Sequence, residues 1–292
     1  MIYVKRLTLP SEIAEIDFIK HEQRTCFNTF YPFKIFPDKG LKRVDFEPVT
    51  MFYGGNGSGK STLLNVLARK MCAVRYSEFN DAPFFDTFVG MCEVDYAKIP
   101  RASYVLTSDD VFDYALKARS INEGIDDQRN ELFDKYVSIH AEMVRNPEIG
   151  RLGGLDDYER WREVREILSP RKTQSKYVKK RVANDIDLCS NGETAMRYFL
   201  DRIDEDAVYF LDEPENSLSI ERQIELADYV QATARATRSQ FIIATHSPVF
   251  LAMQGAKIYN LDDYPASVCN WTELPNVRRY FDFFMDHRHE FD

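Results

Sequence analysis

Up to about residue 53 the chain alternates apolar and polar positions in short segments, Tyr3–Leu9, Phe33–Phe36, Val44–Glu47 and Val49–Tyr53, separated by Pro, Gly and Asp turns. Period-two alternation bounded by such residues predicts strands. After the last of these segments the period changes. Ser61 to Ala68 carries apolar residues at helical spacing, so a strand, a glycine-rich loop and a helix follow one another directly. Ala102 to Thr107 predicts another strand, and Ser108-Asp109-Asp110 can cap a helix beginning near Val111.

From there to about Val182 the sequence is charged, poor in β-branched runs and broken by Gly150, Gly153-Gly154 and Pro170, a pattern that predicts several short helices and no sustained heptad arm. Thr194 to Ile203 suits a helix. Ala207 to Leu211 and Phe241 to Ala244 are continuous apolar runs of the kind buried in parallel sheets. Between them Ile220, Ile224, Ala227 and Val230 fall near one face of a helix, so strand, helix and strand repeat. A strand at Lys257 to Leu261 and a helix from about Asn276 close the pattern. In that helix Val277, Tyr280, Phe281 and Phe284 form an apolar stripe that predicts core packing, with an interaction surface as the alternative.

The chain of 292 residues is 44% hydrophobic, enough for one large α/β domain with a lobe. The expected division is an α/β core from residues 1–107 and 188–292, with a helical lobe of residues 108–187 inserted into it. A net charge of −9 argues against a broadly basic surface for nonspecific nucleic-acid binding, and leaves room for a local patch. Five scattered cysteines without paired spacing read as reduced thiols, and charges interrupt every apolar run well short of membrane-spanning length. With no signal-like start, the expectation is a cytoplasmic protein.

Four short motifs carry the chemistry. Gly54-Gly55-Asn56-Gly57-Ser58-Gly59-Lys60-Ser61 satisfies the phosphate-loop pattern in full. Its glycines let backbone N–H groups curl around phosphate oxygens, and the helix behind it directs a positive end at them. Lys60 reaches the terminal phosphates, the Ser61 hydroxyl can ligate Mg2+, and Thr62 completes the binding set. Asp212 and Glu213 end an apolar strand, where Asp212 would hold the Mg2+ shell and Glu213 would orient or deprotonate water. Ser190-Asn191-Gly192-Glu193 places a hydroxyl and a glycine amide at a helix start, a second anion site beyond the needs of the first pocket. It reads as contact with a nucleotide held by another subunit. His246, at the end of the next strand, can reach a terminal phosphate.

Together these residues resemble the ATP-binding-cassette class of P-loop ATPases, whose motifs are called Walker A, signature, Walker B and switch histidine. The cytosolic RecF-like and SMC-like branch is nearer than the transporter branch. Nearest is a family of small stand-alone bacterial AAA-family ATPases, on Tyr31-Pro32-Phe33, Gly57 to Leu64, Asp212 to Ser219 and Ala244 to Pro248, with the resemblance weakest from about 110 to 187.

The resemblance implies a P-loop fold of mainly parallel sheet with an N-terminal antiparallel portion and a helical lobe. It also implies ATP and Mg2+ as ligands, and a head-to-tail dimer burying ATP between one subunit's Lys60 and the other's Ser190 and Gly192. Glu213 would then be the catalytic base and His246 the switch, acting on nucleic acid or a partner effector of repair or defence type. A nucleotide-gated clamp and a transporter subunit are the alternatives.

The chain departs from the class in two places. Thr107, Ser108 and Asp109 stand near the usual glutamine, and Ser219 stands where an Asp is common. Phe33 and Phe36 read equally as adenine-stacking or core residues. The basic run Arg171, Lys172, Lys176, Lys179, Lys180 and Arg181 reads as a solvated face, with phosphate contact as the alternative. His287 and His289 have metal-like spacing and read as a chance pair in a charged segment, with a metal site as the alternative.

Overall fold

The computed structural model describes all residues except 25, 78, 80, 147–157, 170–172, 184–190, 204–205 and 292, and the side chains of residues 191–192. Its strands are β1 (Val4–Thr8), β2 (Arg43–Asp45), β3 (Val49–Tyr53), β4 (Glu93–Tyr96), β5 (Ala102–Thr107), β6 (Ala207–Asp212), β7 (Gln240–Ala244), β8 (Lys257–Asn260) and β9 (Ser267–Cys269). Its helices are α1 (Glu12–His21), α2 (Lys60–Lys70), α3 (Phe85–Met91), α4 (Ser108–Arg145), α5 (Tyr158–Ile167), α6 (Gln174–Lys179), α7 (Asn191–Arg202), α8 (Ile220–Ala236), α9 (Pro248–Leu251) and α10 (Pro275–Asp286). The chain divides into two compact units, one of Met1–Asp113 with Cys189–Asp292 and one of Tyr114–Leu188.

The first unit is built on a sheet whose described strands run β5-β6-β7-β3-β8-β9, parallel except for the edge pair β8-β9. A smaller antiparallel sheet orders β2-β1-β4. This is the mixed α/β architecture expected. Every residue of β3 and β7 is buried, as the continuous apolar run of β7 leads one to expect, whereas β3, read as an alternating segment, is covered on both faces too. Parallel register sets Phe52 of β3 and Asp212 of β6 each opposite Ala244 of β7, so three strands end at one level. Helix α2 leaves that level with eight of its first nine positions buried, all but Ser61 from Lys60 to Ala68, as a helix covered on nearly every side.

One buried side chain ties the two sheets together. Gln240, at the start of β7, accepts the N–H groups of Tyr3 and Val4 at 2.9 Å each and donates to the carbonyls of Val4 and Glu47 at 3.0 and 3.1 Å. Replacing it by Leu leaves two buried N–H groups without acceptors. Gln240→Leu is expected to lower stability by about 3 kcal/mol, measured by urea unfolding.

Several sequence expectations are corrected. Phe33 to Phe36 is a turn, not a strand, and both phenylalanines are core. Phe33 stacks on Phe18 of α1 at 4.6 Å and meets Phe88 of α3 edge-on at 5.2 Å, which excludes adenine stacking. Helix α1, unforeseen, starts where Ser11 Oγ accepts the Ala14 N–H. On α8 the buried positions are Leu226, Ala227, Val230 and Ala234, while Ile220 and Ile224 are exposed. At 3.6 residues per turn, Ile224 lies about 120° round the helix from the Leu226–Val230–Ala234 line. On α10 only Val277 of the stripe is buried; Tyr280, Phe281 and Phe284 are each more than half exposed.

The largest correction is α4, one helix of 38 residues and about 57 Å where short helices were expected. Thr107 caps it: its Oγ1 accepts the Asp110 N–H at 3.1 Å while Asp110 Oδ2 accepts the Thr107 N–H at 2.8 Å. Val111, Ala118, Ile125 and Ile139 are its buried apolar positions, spaced by seven, seven and fourteen residues, a heptad stripe masked by the charge around it.

In the second unit, Ile139, Val164, Ile167, Tyr177 and Val178 form a small core. Of the basic run, Arg171 and Lys172 lie outside the described residues. Arg181 pairs with Glu166 at 2.6 Å and stands over the Tyr177 ring. His287 pairs with Glu290 at 2.6 Å. No described helix is long and apolar enough to cross a membrane.

Candidate functional site

The loop joining β3 to α2 requires glycine for specific reasons at two positions. Gly54 has φ +158°, and a Cβ there would stand 2.5 Å from Ser58 Oγ. Gly59 has φ +94°, and its Cβ would press on Ile35 at 3.0 Å. The loop therefore folds tightly on itself, closed by the Ser58 N–H to Gly55 carbonyl bond at 3.1 Å. Asn56 and Gly57 lie exposed at its crest. Ser58 Oγ is buried without a hydrogen-bond partner among the described residues.

Lys60 opens α2 with its stem buried, and its Nζ donates to the carbonyls of Gly54 at 2.8 Å and Gly55 at 3.2 Å. The ammonium is thus bent over the loop. It also stands 3.6 Å from Glu213 Oε1. One residue on, Ser61 Oγ donates to Asp212 Oδ1 at 2.9 Å, joining the helix start to the end of β6. Thr62 Oγ1 meets the Tyr31 hydroxyl at 2.8 Å.

Burial pushes the Asp212 carboxyl up to about 6; the Ser61 hydrogen bond opposes this, and the neighbouring Glu213 adds to it. Glu213 itself adopts φ +47°, left-handed backbone that a non-glycine residue occupies only at a cost of about 1–3 kcal/mol. Surrounding bonds hold it there. Its N–H donates to Ala244 O at 2.9 Å, and Asn216 Nδ2 donates to its Oε2 at 2.9 Å. His246, beyond the end of β7, brings Nδ1 to 3.9 Å from Glu213 Oε1 and 3.5 Å from Glu215 Oε1.

A cleft of about 570 Å³ opens beside these groups, lined among others by Tyr31, Ser61, Arg75, Thr107, Asp212 and Glu213. Ser108 and Asp109 also border it, whereas the Thr107 hydroxyl is engaged by Asp110. Arg75 hydrogen-bonds Asn65 Oδ1, and burial lowers its guanidinium below the usual value against the pull of Asp212 and Asp110.

The sheet thus brings Lys60, Ser61, Asp212, Glu213 and His246 together. Glu193 lies in the first turn of α7, 3.6 Å from Arg222 of α8. Asn191 and Gly192 begin that helix, which starts three residues earlier than expected, and Ser190 lies outside the described residues. The sequence reading gave no place to Arg75 or to Asp262, whose carboxyl accepts the Gly55 N–H at 2.8 Å, and held Tyr31, Glu215 and Asn216 only as parts of the resembling runs, without roles. Glu215 and Asn216 directly follow the Asp212-Glu213-Pro214 run, which was the available signal. Arg75 and Asp262 carry none.

A family model described as "AAA domain, putative AbiEii toxin, Type IV TA system" matches residues 104–252, over half of the chain. The chain belongs to this AAA family. It is a small P-loop ATPase. The matched span holds Asp212, Glu213 and His246, and the phosphate loop of this AAA protein precedes it. No curated protein matches the sequence.

Among solved structures, the AAA protein is similar to the Smc head domain with an extended coiled coil bound to the C-terminal domain of ScpA from Pyrococcus furiosus, at 15% identity over 99% of this chain and 100% of that one, with a TM-score of 0.39. It is similar also to the SMC head domain from Thermotoga maritima, at 13% identity over 92% and 99%, and to Stu0660 of Streptococcus thermophilus, at 13% over 77% and 72%, each with a TM-score of 0.39.

Proposed function

We propose that this AAA protein binds ATP with Mg2+ and hydrolyses it, cycling between an open state and a closed head-to-tail dimer. The observation that carries the reading is the meeting of Lys60, Ser61, Asp212, Glu213 and His246 at the ends of three adjacent strands, with Ser61 Oγ 2.9 Å from Asp212 and Lys60 Nζ 3.6 Å from Glu213. Residues 1–107 and 188–292 would form the nucleotide-binding core and 108–187 the inserted lobe.

The residues fit the ligands. The loop from Gly54 to Gly59 is a cradle that a Cβ at Gly54 would fill, and its buried Ser58 hydroxyl awaits a partner. No group of three His, Cys, Asp or Glu side chains able to hold a metal occurs among the described residues. A cation held by Ser61 and Asp212 would therefore complete its shell with phosphate oxygens and water, the habit of Mg2+. Bound there, Mg2+ supplies neutralisation of phosphate charge.

In this reading Gly54, Gly55, Asn56, Gly57, Ser58, Gly59 and Thr62 wrap the phosphates, and Lys60 exchanges its two loop carbonyls for the terminal phosphate oxygens. Glu213 accepts a proton from the attacking water, aimed by Asn216 through Oε2. His246 donates a hydrogen bond to the terminal phosphate. Ser190, Asn191, Gly192 and Glu193 of a second copy close the pocket from the other side. The object of the cycle in this reading is nucleic acid or a partner effector, in a setting of repair or defence type, the latter in keeping with the family's description as "putative AbiEii toxin, Type IV TA system".

Light scattering of Glu213→Gln protein with ATP and Mg2+ tests the dimer. A mass that doubles on nucleotide addition is expected; a mass unchanged at saturating ATP contradicts it. Asn216→Ala, which frees the Glu213 carboxyl, is expected to lower kcat about tenfold with KM for ATP nearly constant, read by phosphate release.

A further inference from the structure

The turn after β6 carries a second carboxyl for which the reaction above has no use. Glu215 is 6% exposed, and its Oε1 accepts three hydrogen bonds from the segment leaving β7. The donors are Thr245 Oγ1 at 2.7 Å, the His246 N–H at 2.8 Å and the Ser247 N–H at 3.2 Å. Its Oε2 is buried with no hydrogen-bond partner among the described residues.

That distribution is uneconomical for stability alone. A carboxyl taken out of water costs several kcal/mol in general unless both oxygens are satisfied, and here one oxygen collects every bond while the other has none. What the arrangement does achieve is to clamp the main chain on both sides of His246 to the turn that carries Glu213.

The clamp is closed by further bonds. Ser247 Oγ donates to Gln223 Oε1 at 2.7 Å, and Gln223 Nε2 donates to the Leu218 carbonyl at 3.1 Å. The Thr245 N–H donates to the Phe52 carbonyl at 3.1 Å, at the strand end that enters the phosphate loop. The His246 backbone can shift relative to Glu213 only by breaking bonds to Glu215.

We propose that Glu215 is a positioning residue that fixes the His246 main chain against the Asp212-Glu213 turn, so that the imidazole meets the same phosphate whose attacking water faces the Glu213 carboxyl. The inference rests on the ATPase reading above. Because two of the three donors are backbone N–H groups, what Glu215 must supply is an acceptor at the Oε1 position. A carboxamide oxygen meets that need without the charge, and an alanine cannot.

The test is a double-mutant cycle on kcat at saturating ATP and Mg2+, with wild type, Glu215→Ala, His246→Ala and the double variant, beside Glu215→Gln. Binding of a fluorescent ATP analogue and thermal unfolding are measured on each. Glu215→Ala is expected to lower kcat about 10- to 100-fold, to the level of His246→Ala, with the analogue bound as by wild type. The double variant should be no slower than either single one, and Glu215→Gln should recover most of the lost rate.

A residue that merely stabilises the fold would give losses that multiply in the double variant. That result overturns the proposal, as does a wild-type rate in Glu215→Ala or a Glu215→Gln rate as low as that of Glu215→Ala. If Glu215→Ala does not fold, Glu215→Asp, which keeps the charge but draws the acceptor back by one methylene, takes its place in the cycle with the same outcomes. Absence of ATP hydrolysis by wild type sinks the ATPase reading itself. Hydrolysis that is lost in His246→Ala but kept in Glu215→Ala sinks only the clamp.

Discussion

Glu213→Gln lowers kcat for ATP about a hundred- to a thousandfold while ATP remains bound, an effect read by steady-state phosphate release beside a nucleotide titration. General base catalysis contributes roughly 10²- to 10⁴-fold where a side chain is held in line with the proton it takes. Three features hold Glu213: its N–H on Ala244 O at 2.9 Å, its Oε2 on Asn216 at 2.9 Å, and left-handed backbone at φ +47°. The amide of Gln keeps the shape and loses the basicity, so binding and chemistry separate. Phosphate release by the variant at the wild-type rate would remove Glu213 from the reaction.

Lys60→Ala acts earlier, on binding. The Lys60 ammonium is held at the loop by the Gly54 and Gly55 carbonyls and is 4% exposed, so it meets a phosphate with its desolvation and side-chain ordering already accomplished. Truncating one partner of such a buried charge pair costs about 3 kcal/mol or more, roughly a hundredfold in affinity. The loss has a second source within the protein. Glu213 Oε1 lies 3.6 Å from Nζ, and without the ammonium its charge faces the incoming triphosphate uncompensated. Titration of the variant with a fluorescent ATP analogue is expected to show this weakening with the fold intact by circular dichroism. Wild-type affinity would mean that the loop does not receive the phosphates.

The two effects are distinguishable in one experiment. Glu213→Gln should retain nucleotide on a sizing column and Lys60→Ala should not, because the first change follows binding and the second precludes it.

Sequence alone determined the features that depend on neighbours along the chain. The unbroken apolar runs of β6 and β7 read as buried strands because parallel strands are covered on both faces, and the tight loop between β3 and α2 was legible because its backbone needs glycine at Gly54 and Gly59. Tertiary structure decided everything that depends on which strand lies beside which. The order β6-β7-β3 places Asp212 and His246 beside Lys60, and the same adjacency gives Glu215 its hold on the main chain of His246.

Local pattern misled where burial is set from a distance. Phe33 and Phe36 belong to the core because α1 and α3 bring Phe18 and Phe88 against them, while Tyr280, Phe281 and Phe284, apolar at helical spacing, stay exposed because only the first turn of α10 is packed on the unit. Periodicity reports that a face is apolar; only the packed neighbours determine whether that face is covered.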